Sequence, residues 1–255
     1  MVSNGKKVVA TIEARMTSTR LPGKVLLPMA GKPVLEHVVE RHRRSRLTDE
    51  VVVATTTNAA DDAIEELCKR IGCSVFRGSE EDVLGRIVAA GKEHGADILV
   101  QGMSDDPLID WRFVDQLVEL LEEGGYDCTD SELDKTFPIG IGMRVYAFPV
   151  LVKAAEVDTE RALREHAGYS IRSQREKFKV GSIQATATLV WPDLRVTLDT
   201  KEDYDMIRSV YEALYPTNPD FSTLDVVTFL RTRPDIVLIN KNIVQRPPDH
   251  DSKGI

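Results

Sequence analysis

The chain has 255 residues, of which 42% are hydrophobic and 29% are charged, with 16 glycines, 12 prolines and 3 cysteines. This composition is ordinary for a globular protein and excludes disordered, collagen-like and disulfide-rich classes. No segment approaches the roughly 20 apolar residues of a membrane span, and no apolar run near the N-terminus suggests a signal peptide. The sequence therefore predicts a cytoplasmic protein with no membrane partner.

Positive charge is concentrated near the N-terminus of a chain that is acidic overall. The net charge is -8, yet residues 1–46 contain ten Lys and Arg against three Glu, and this balance of +7 leaves −15 for the rest. A nucleic-acid-binding surface is normally basic over a wide area. We therefore expect no nucleic-acid partner and a small, local anion site.

Strand and helix patterns alternate along the first half of the chain. A buried strand is predicted at 8–12, followed by a polar loop to Lys32 and a helix opened by Pro33, whose missing N–H is harmless at a helix start. Further strands are predicted at 51–56, 74–76 and 98–100, and further helices at 61–71, 80–93 and 111–122. This alternation predicts an α/β fold of three layers, in which helices cover both faces of a mostly parallel central sheet.

The pattern is more mixed in the second half. Strands are predicted at 143–147, 179–190 and 195–198, and helices at 150–156, 161–174 and 202–214. The sequence has no internal repeat and no low-complexity linker. We therefore predict a single domain over residues 1–245, with a small lobe around 135–190, and a flexible tail at 246–255.

The loop after the first strand combines three cations with hydroxyl groups. Arg15, Arg20 and Lys24 are spaced by five and four residues, and Ser18 lies between the two arginines. Charge-assisted hydrogen bonds from Arg and Lys are about twice as strong as neutral ones, so this set suits a polyphosphate. The loop matches neither the Walker pattern nor GxGxxG. A solvated loop with scattered charge is the alternative, and charge alone does not separate the two.

Two isolated carboxylates follow predicted strands. In parallel sheets, ligands bind beyond the carboxyl ends of the strands, where Asp105 and Asp199 are expected. Mg²⁺ prefers one or two carboxylates together with phosphate oxygens and water. Asp110 and Asp203 have a sufficient structural role at helix starts, as an N-cap and as part of a capping box, whereas the role of Asp106 stays open. We therefore assign Asp105 and Asp199 to a metal ion.

Four segments of the sequence together resemble the CTP-dependent cytidylyltransferases. They are Arg15-x-x-Ser18-x-Arg20-Leu21-Pro22-Gly23-Lys24, Ala30-Gly31-Lys32-Pro33, Asp105-x-Pro107-Leu108-Ile109-Asp110 and Leu198-Asp199-Thr200-x-Glu202-Asp203. The sequence is most similar to the spore-coat polysaccharide biosynthesis branch, which is related to the CMP-Kdo and CMP-sialic acid synthetases. The resemblance implies a nucleotide-diphosphosugar-transferase-like fold that transfers CMP from CTP to an acceptor and releases pyrophosphate.

The resemblance also implies roles for individual residues. Those that would bind the nucleotide are Ala14, Arg15, Ser18, Arg20, Lys24 and Gln101, and those that would act in catalysis are Arg15, Lys24, Asp105 and Asp199. Asp105 and Asp199 would coordinate Mg²⁺. Gln101 would read cytosine, but Met103 and Ser104 interrupt the family pattern and leave this role open. Members of that family commonly form dimers, which favours a homodimer here. Residues 237–239 would then lie at the dimer interface, or alternatively form a strand of the core.

The acceptor region departs from the family pattern. The spore-coat relatives carry acidic residues where this chain has Gly140 to Val145, so Arg144 would favour an anionic acceptor such as an acidic sugar. A solvent-exposed arginine at a strand edge is the alternative. Among the histidines, His166 is the candidate for an acceptor role. Competing functions are a nucleotidyltransferase that uses another NTP and a catalytically silent nucleotide-binding protein of the same fold.

Overall fold

A seven-stranded sheet forms the centre of the computed structural model, which describes residues 5–245. The strands are β1 (Val8–Glu13), β4 (Glu50–Thr56), β5 (Ser74–Gly78), β6 (Ile98–Met103), β7 (Cys128–Asp130), β8 (Arg144–Ala147) and β9 (Val180–Ser182), with a separate hairpin of β2 (Pro28–Met29) and β3 (Lys32–Pro33). The order across the sheet is β5-β4-β1-β6-β8-β7-β9, in which β8 runs antiparallel to both of its neighbours. The predicted, mostly parallel sheet is confirmed.

Helices cover both faces of the sheet. They are α1 (Val34–Arg43), α2 (Asp62–Arg70), α3 (Val83–Glu93), α4 (Trp111–Gly124), α5 (Phe148–Val157), α6 (Arg161–Glu165), α7 (Tyr169–Ser173), α8 (Lys201–Leu214), α9 (Thr223–Thr232) and α10 (Pro234–Val237). Alternate side chains of β1 point to opposite faces. Ala10 and Ile12 belong to the core beneath α1, α2, α4, α8 and α9, whereas Val9 belongs to the core beneath α3, α5 and α7. The three predicted layers are thereby confirmed.

The second half of the chain corrects several predicted elements. The helix predicted at 161–174 is divided into α6 and α7, because Gly168 between them adopts a left-handed φ of 70°. The strand predicted at 179–190 is limited to β9, and 195–198 forms one isolated bridge from Arg195 to Ile139 instead of a strand. Val237 is the last residue of α10 and 238–239 follow that helix, so the core-strand alternative is wrong.

The predicted helix starts are mostly correct. Asp110 accepts a hydrogen bond from the N–H of Arg112, and Thr200 with Asp203 forms the expected capping box on α8. Pro33 lies one residue outside α1 and pairs with Pro28. No helix within residues 5–245 combines the length and the apolar character needed to cross a membrane. The tail predicted at 246–255 lies outside the described residues.

Candidate active site

The loop after β1 folds back on itself and returns Lys24 to the sheet edge. The N–H of Gly23 donates to the carbonyl of Met16 at 2.9 Å, which closes the loop. Gly23 has a φ of 71°, a left-handed conformation that glycine adopts without steric cost. A 3₁₀ turn (Lys24–Leu26) starts directly afterwards. This turn directs Lys24 towards the side chains that follow β6.

The Lys24 ammonium joins the two carboxylates that the sequence assigned to a metal. Its Nζ lies 3.0 Å from Oδ2 of Asp105 and 3.0 Å from Oδ1 of Asp199, and it also donates to the carbonyl of Leu198 at 2.7 Å. The side chain is 9% exposed. Burial lowers the pKa of Lys24, but the two carboxylates outweigh it and raise the pKa above the ordinary value. Lys24 is therefore charged.

Asp199 is surrounded by cations. Its Oδ2 forms ion pairs with Arg20 and Arg195, each at 2.8 Å, while its Oδ1 accepts a hydrogen bond from Lys24. Burial raises the pKa of Asp199, but these cations outweigh it and hold the pKa below the usual range. We call Arg20, Lys24, Asp105, Arg195 and Asp199 the Lys24 cluster.

Backbone contacts explain how residues 94 positions apart meet in the Lys24 cluster. The N–H of Leu198 donates to the carbonyl of Asp105 at 2.7 Å, and the hydroxyl of Thr197 donates to the same carbonyl at 3.2 Å. On the other side of this segment, Gly140 approaches so closely that a Cβ would lie 2.5 Å from the nitrogen of Thr197. A side chain at position 140 would push the Asp199 segment away from Asp105.

Two residues that position Asp199 were missed by the sequence analysis. Arg195 is 5% exposed, and besides Asp199 it donates to Asp203 at 2.9 and 3.1 Å. The amide of Asn240 donates to Asp203 at 2.9 Å and to the carbonyl of Arg195 at 3.0 Å. Supporting partners of this kind orient metal-binding carboxylates. The acidic pattern around Asp199 gave no signal for Asn240, which lies 41 residues further along the chain.

The N-terminal part of the loop after β1, which contains Ala14, Arg15 and Thr17, contacts a different part of the sheet edge. Arg15 is 46% exposed and pairs with Glu80 at 3.2 Å, and the hydroxyl of Thr17 donates to the same carboxylate. Ala14 is buried and donates its N–H to the carbonyl of Ala54 at 3.3 Å, while Ser18 is half-buried. Arg15 is thus separate from the Lys24 cluster in its contacts, and its guanidinium is accessible to a ligand.

Gln101 is part of a buried chain of polar groups across three strands. Its amide donates to Oε1 of Glu13 at 2.7 Å, and its carbonyl oxygen accepts from the hydroxyl of Tyr146 at 3.3 Å. Burial raises the pKa of Glu13, the charge of Asp105 adds to the increase, and the Gln101 hydrogen bond opposes it. Gln101 lies at the same sheet edge as the Lys24 cluster, and its side chain is held in place on both sides.

Arg144 is buried within the sheet. It lies on β8, between β6 and β7, and its side chain is 15% exposed. It pairs with Glu132 and lies 3.5 Å from Asp130, which also pairs with Arg172 at 3.4 Å. Burial lowers the pKa of Arg144, but Glu132 and Asp130 outweigh it and raise the pKa. The solvent-exposed alternative is therefore wrong. We call Asp130, Glu132, Arg144 and Arg172 the Arg144 cluster.

His166 and Asp106 lie beside these groups. His166 follows α6 and is half-exposed, and the next residue, Ala167, accepts a hydrogen bond from Tyr146 at 3.4 Å. Asp106 is 2% exposed; burial, together with the charges of Asp105 and Glu132, raises its pKa well above the ordinary value. Asp106 is thus a buried carboxyl next to Asp105 in the sequence, and its role stays open.

The donor set at the Lys24 cluster fits a divalent ion. Asp105 and Asp199 already share one cation, the Lys24 ammonium, and hard oxygen ligands of this kind suit Mg²⁺. Within residues 5–245, no group of three or more His, Cys, Asp or Glu side chains is placed to hold a metal. The chain thus offers two carboxylates, and the other ligands of an ion at this position must come from a nucleotide or from water.

Comparison with known proteins supports the family that the sequence motifs indicated. A sequence profile described as cytidylyltransferase matches residues 9–241. The spore coat polysaccharide biosynthesis protein SpsF of Bacillus subtilis is 33% identical, over 89% of this chain and 95% of that protein. The 3-deoxy-manno-octulosonate cytidylyltransferase of Geobacter sulfurreducens is 40% identical, over 46% of each chain.

The fold comparison agrees with the sequence comparison. A cytidylyltransferase structure from Leptospira borgpetersenii superposes with a TM-score of 0.86 at 32% identity, over 95% of this chain and 100% of that one. The predicted family, with its spore-coat and CMP-Kdo relatives, and the predicted fold are both confirmed. The chain belongs to the cytidylyltransferase family and is a nucleotidyltransferase.

Proposed function

We propose that this chain transfers CMP from CTP to a small anionic acceptor, with Mg²⁺ held by Asp105 and Asp199 and with release of pyrophosphate. One observation carries the proposal: two carboxylates from distant parts of the chain share a single cation at the edge of the sheet, each at 3.0 Å. That edge is where ligands bind in parallel α/β sheets. The same edge also carries the cations of the first loop.

The proposed roles of the loop residues follow from their contacts. Lys24 and Arg20 bind the triphosphate from the side of the Lys24 cluster, and the exposed guanidinium of Arg15 binds it from the side of Glu80. Ser18 and the backbone of Ala14 line the loop between them. Gln101, fixed by Glu13 and Tyr146, faces the base.

The reaction in this proposal needs no protein nucleophile. An oxygen of the acceptor attacks the α-phosphorus, the bond from that phosphorus to the bridging oxygen of the β-phosphate breaks, and pyrophosphate leaves. A proton lost from an acceptor hydroxyl goes to water. When bound, Mg²⁺ neutralises charge that develops on the phosphate oxygens. Lys24, Arg20 and Arg15 orient the triphosphate and supply fixed positive charge, which is the main protein contribution in phosphoryl transfer.

For the acceptor, we propose an acidic sugar or a similar anion near Arg144 and His166. Arg144 lies opposite Gln101 in the β6–β8 register, so the acceptor region adjoins the nucleotide region. The charge of Arg144 is already shared with Asp130 and Glu132. The acceptor therefore has to compete with internal carboxylates, which favours a compact anion that is bound through several hydrogen bonds.

A pyrophosphate-release assay tests the proposal. CTP, UTP, ATP and GTP are each offered with Mg²⁺ and a panel of acidic sugars, neutral sugars and phosphonates. We expect turnover with CTP and an anionic acceptor, and a loss of turnover when EDTA is added. Turnover with another NTP would replace CTP in the proposal. CTP binding without turnover for any acceptor would instead favour a silent nucleotide-binding protein. A homodimer and a cytoplasmic location stay predictions.

A further inference from the structure

The Lys24 ammonium contacts both of the carboxylates that the proposed function assigns to the divalent ion. Its three N–H donors are matched by three acceptors: Asp105 at 3.0 Å, Asp199 at 3.0 Å and the carbonyl of Leu198 at 2.7 Å. The side chain is 9% exposed, so water replaces none of these contacts easily. The ammonium is therefore a bound cation that the chain supplies itself.

A second cation on the same oxygens would be repelled by the Lys24 ammonium, which lies 3.0 Å from each of them. Lys24 takes Oδ1 of Asp199, and Arg20 and Arg195 take Oδ2. Both oxygens of this carboxylate are thus engaged by positive donors. A divalent ion that binds Asp105 and Asp199 together therefore has the positive charge of Lys24 beside it, and this repulsion favours displacement of the ammonium.

Charge balance indicates when this displacement is favourable. The ion pairs around Asp199 join three cations, Arg20, Lys24 and Arg195, to three carboxylates, Asp105, Asp199 and Asp203. A divalent ion alone would leave this partly buried group with two excess positive charges. A divalent ion that arrives with a triphosphate brings net negative charge, and the released ammonium then has phosphate oxygens to bind.

We propose that Lys24 occupies the divalent-ion site of the nucleotide-free protein and that metal and nucleotide bind as a unit, because the triphosphate draws Lys24 away from Asp105 and Asp199. This inference rests on the proposed function only for the location of the metal and the triphosphate. It makes Lys24 a competitor of the metal before the nucleotide arrives and a ligand of the nucleotide afterwards.

Metal binding without turnover tests the proposal. Mn²⁺ serves as the probe, and its dissociation constant is measured by electron paramagnetic resonance. The proteins are the wild type, Lys24→Met, Lys24→Gln and the control Lys32→Met. Lys32 is a matched control because it is also a lysine paired with two carboxylates, Glu36 and Glu40, outside the Lys24 cluster. Each protein is titrated alone and with a CTP analogue that has a methylene group between the α- and β-phosphorus atoms. Thermal unfolding shows which variants are folded.

We expect Lys24→Met and Lys24→Gln to bind Mn²⁺ without nucleotide about tenfold or more tightly than the wild type, with Lys32→Met unchanged. In the wild type, the analogue should tighten Mn²⁺ binding by a similar factor, and Mn²⁺ should tighten analogue binding equally, since coupling is reciprocal. This wild-type cycle tests the proposal even if a Lys24 variant does not fold.

The contrary results are distinct. Unchanged or weaker Mn²⁺ binding in both folded Lys24 variants would show that Lys24 does not compete with the metal. Independent binding of Mn²⁺ and the analogue in the wild type would show that metal and nucleotide do not bind as a unit. Neither result depends on turnover. A failure to release pyrophosphate would count against the proposed reaction and leave the competition between Lys24 and metal intact.

Discussion

The Lys24 cluster and the Arg144 cluster both pair buried arginine or lysine with carboxylates, but they differ in what a ligand can reach. In the Lys24 cluster, Arg20 is 27% exposed and Asp105 is 30% exposed, so the group opens to the sheet edge. In the Arg144 cluster, Arg144 and Arg172 are 15% and 16% exposed, and Asp130 is 1% exposed. The first cluster can exchange partners with a ligand at the sheet edge, whereas a ligand reaches the second mainly at Glu132, which is 32% exposed.

This difference separates catalytic charge from structural charge. A pair that exchanges its partner for a ligand contributes to activity, and its removal need not unfold the protein. A pair that stays closed contributes mostly through the cost of leaving one charge buried without its partner. Substitutions in the two clusters should therefore affect different measurements.

The largest expected effect follows a change of Asp105 in the Lys24 cluster. Asp105→Asn keeps the size of the side chain but removes one of the two carboxylates to which we assign the metal in the proposed function. Because that charge acts on the reacting phosphate, kcat for pyrophosphate release should fall by about 10³-fold or more with the unfolding temperature little changed. Asp235→Asn is the control, since that carboxylate is 63% exposed and pairs with Arg233, outside the Lys24 cluster. Normal turnover in Asp105→Asn would remove the metal assignment.

The next effect concerns stability and the Arg144 cluster. Arg144→Met leaves Glu132 without this cation and leaves buried Asp130 with Arg172 alone. Uncompensated buried charge of this kind should lower the free energy of unfolding by about 3 kcal/mol in urea titrations. Arg46→Met, at a side chain that is 74% exposed, should change it by less than about 0.5 kcal/mol. If Arg144→Met keeps its stability and loses only affinity for the acceptor, then Arg144 acts in ligand binding, as proposed for the Lys24 cluster, and does not stabilise the fold.

A smaller effect is expected at Arg15, which lies outside both clusters. Arg15→Ala should raise the KM for CTP about tenfold with a limited change in kcat, since the guanidinium adds one charge-assisted contact to the triphosphate. Glu80→Gln weakens the present partner of Arg15 and should leave that KM unchanged or lower it. Steady-state kinetics with varied CTP measures both. An unchanged KM in Arg15→Ala would mean that Arg15 does not contact the triphosphate and is an ordinary solvent-exposed charge.

The sequence predicted the Lys24 cluster better than the Arg144 cluster, for physical reasons. Lys24 and Asp105 follow parallel strands with clear apolar runs, and the carboxyl ends of such strands meet at one edge. Arg144 lies on the antiparallel β8, whose burial depends on β7 and on the carboxylates that follow it. Asn240 supports Asp199 through a contact that the tertiary fold alone creates. Local patterns carry no information on such contacts.

The smallest effect is expected at Glu13, whose carboxyl is influenced by both clusters. Burial raises its pKa above the ordinary value of 4.5, the charge of Asp105 adds to this, and Arg144 opposes it. Since the raised pKa belongs to the folded state, the contribution of Glu13 to stability is full below pH 4.5 and is lost as pH rises through the folded pKa.

Glu13→Gln keeps the shape and removes the titration. Relative to the wild type, its free energy of unfolding should therefore rise between pH 4.5 and pH 8, by about 1.4 kcal/mol for each unit of pKa shift. Urea titrations at both pH values measure the difference, and His42→Gln, at a residue whose pKa is lowered to about 4, should show its largest gain at acidic pH instead. A constant difference between Glu13→Gln and the wild type would mean that Glu13 titrates normally. Its carboxylate would then add one more negative charge beside Asp105 at neutral pH.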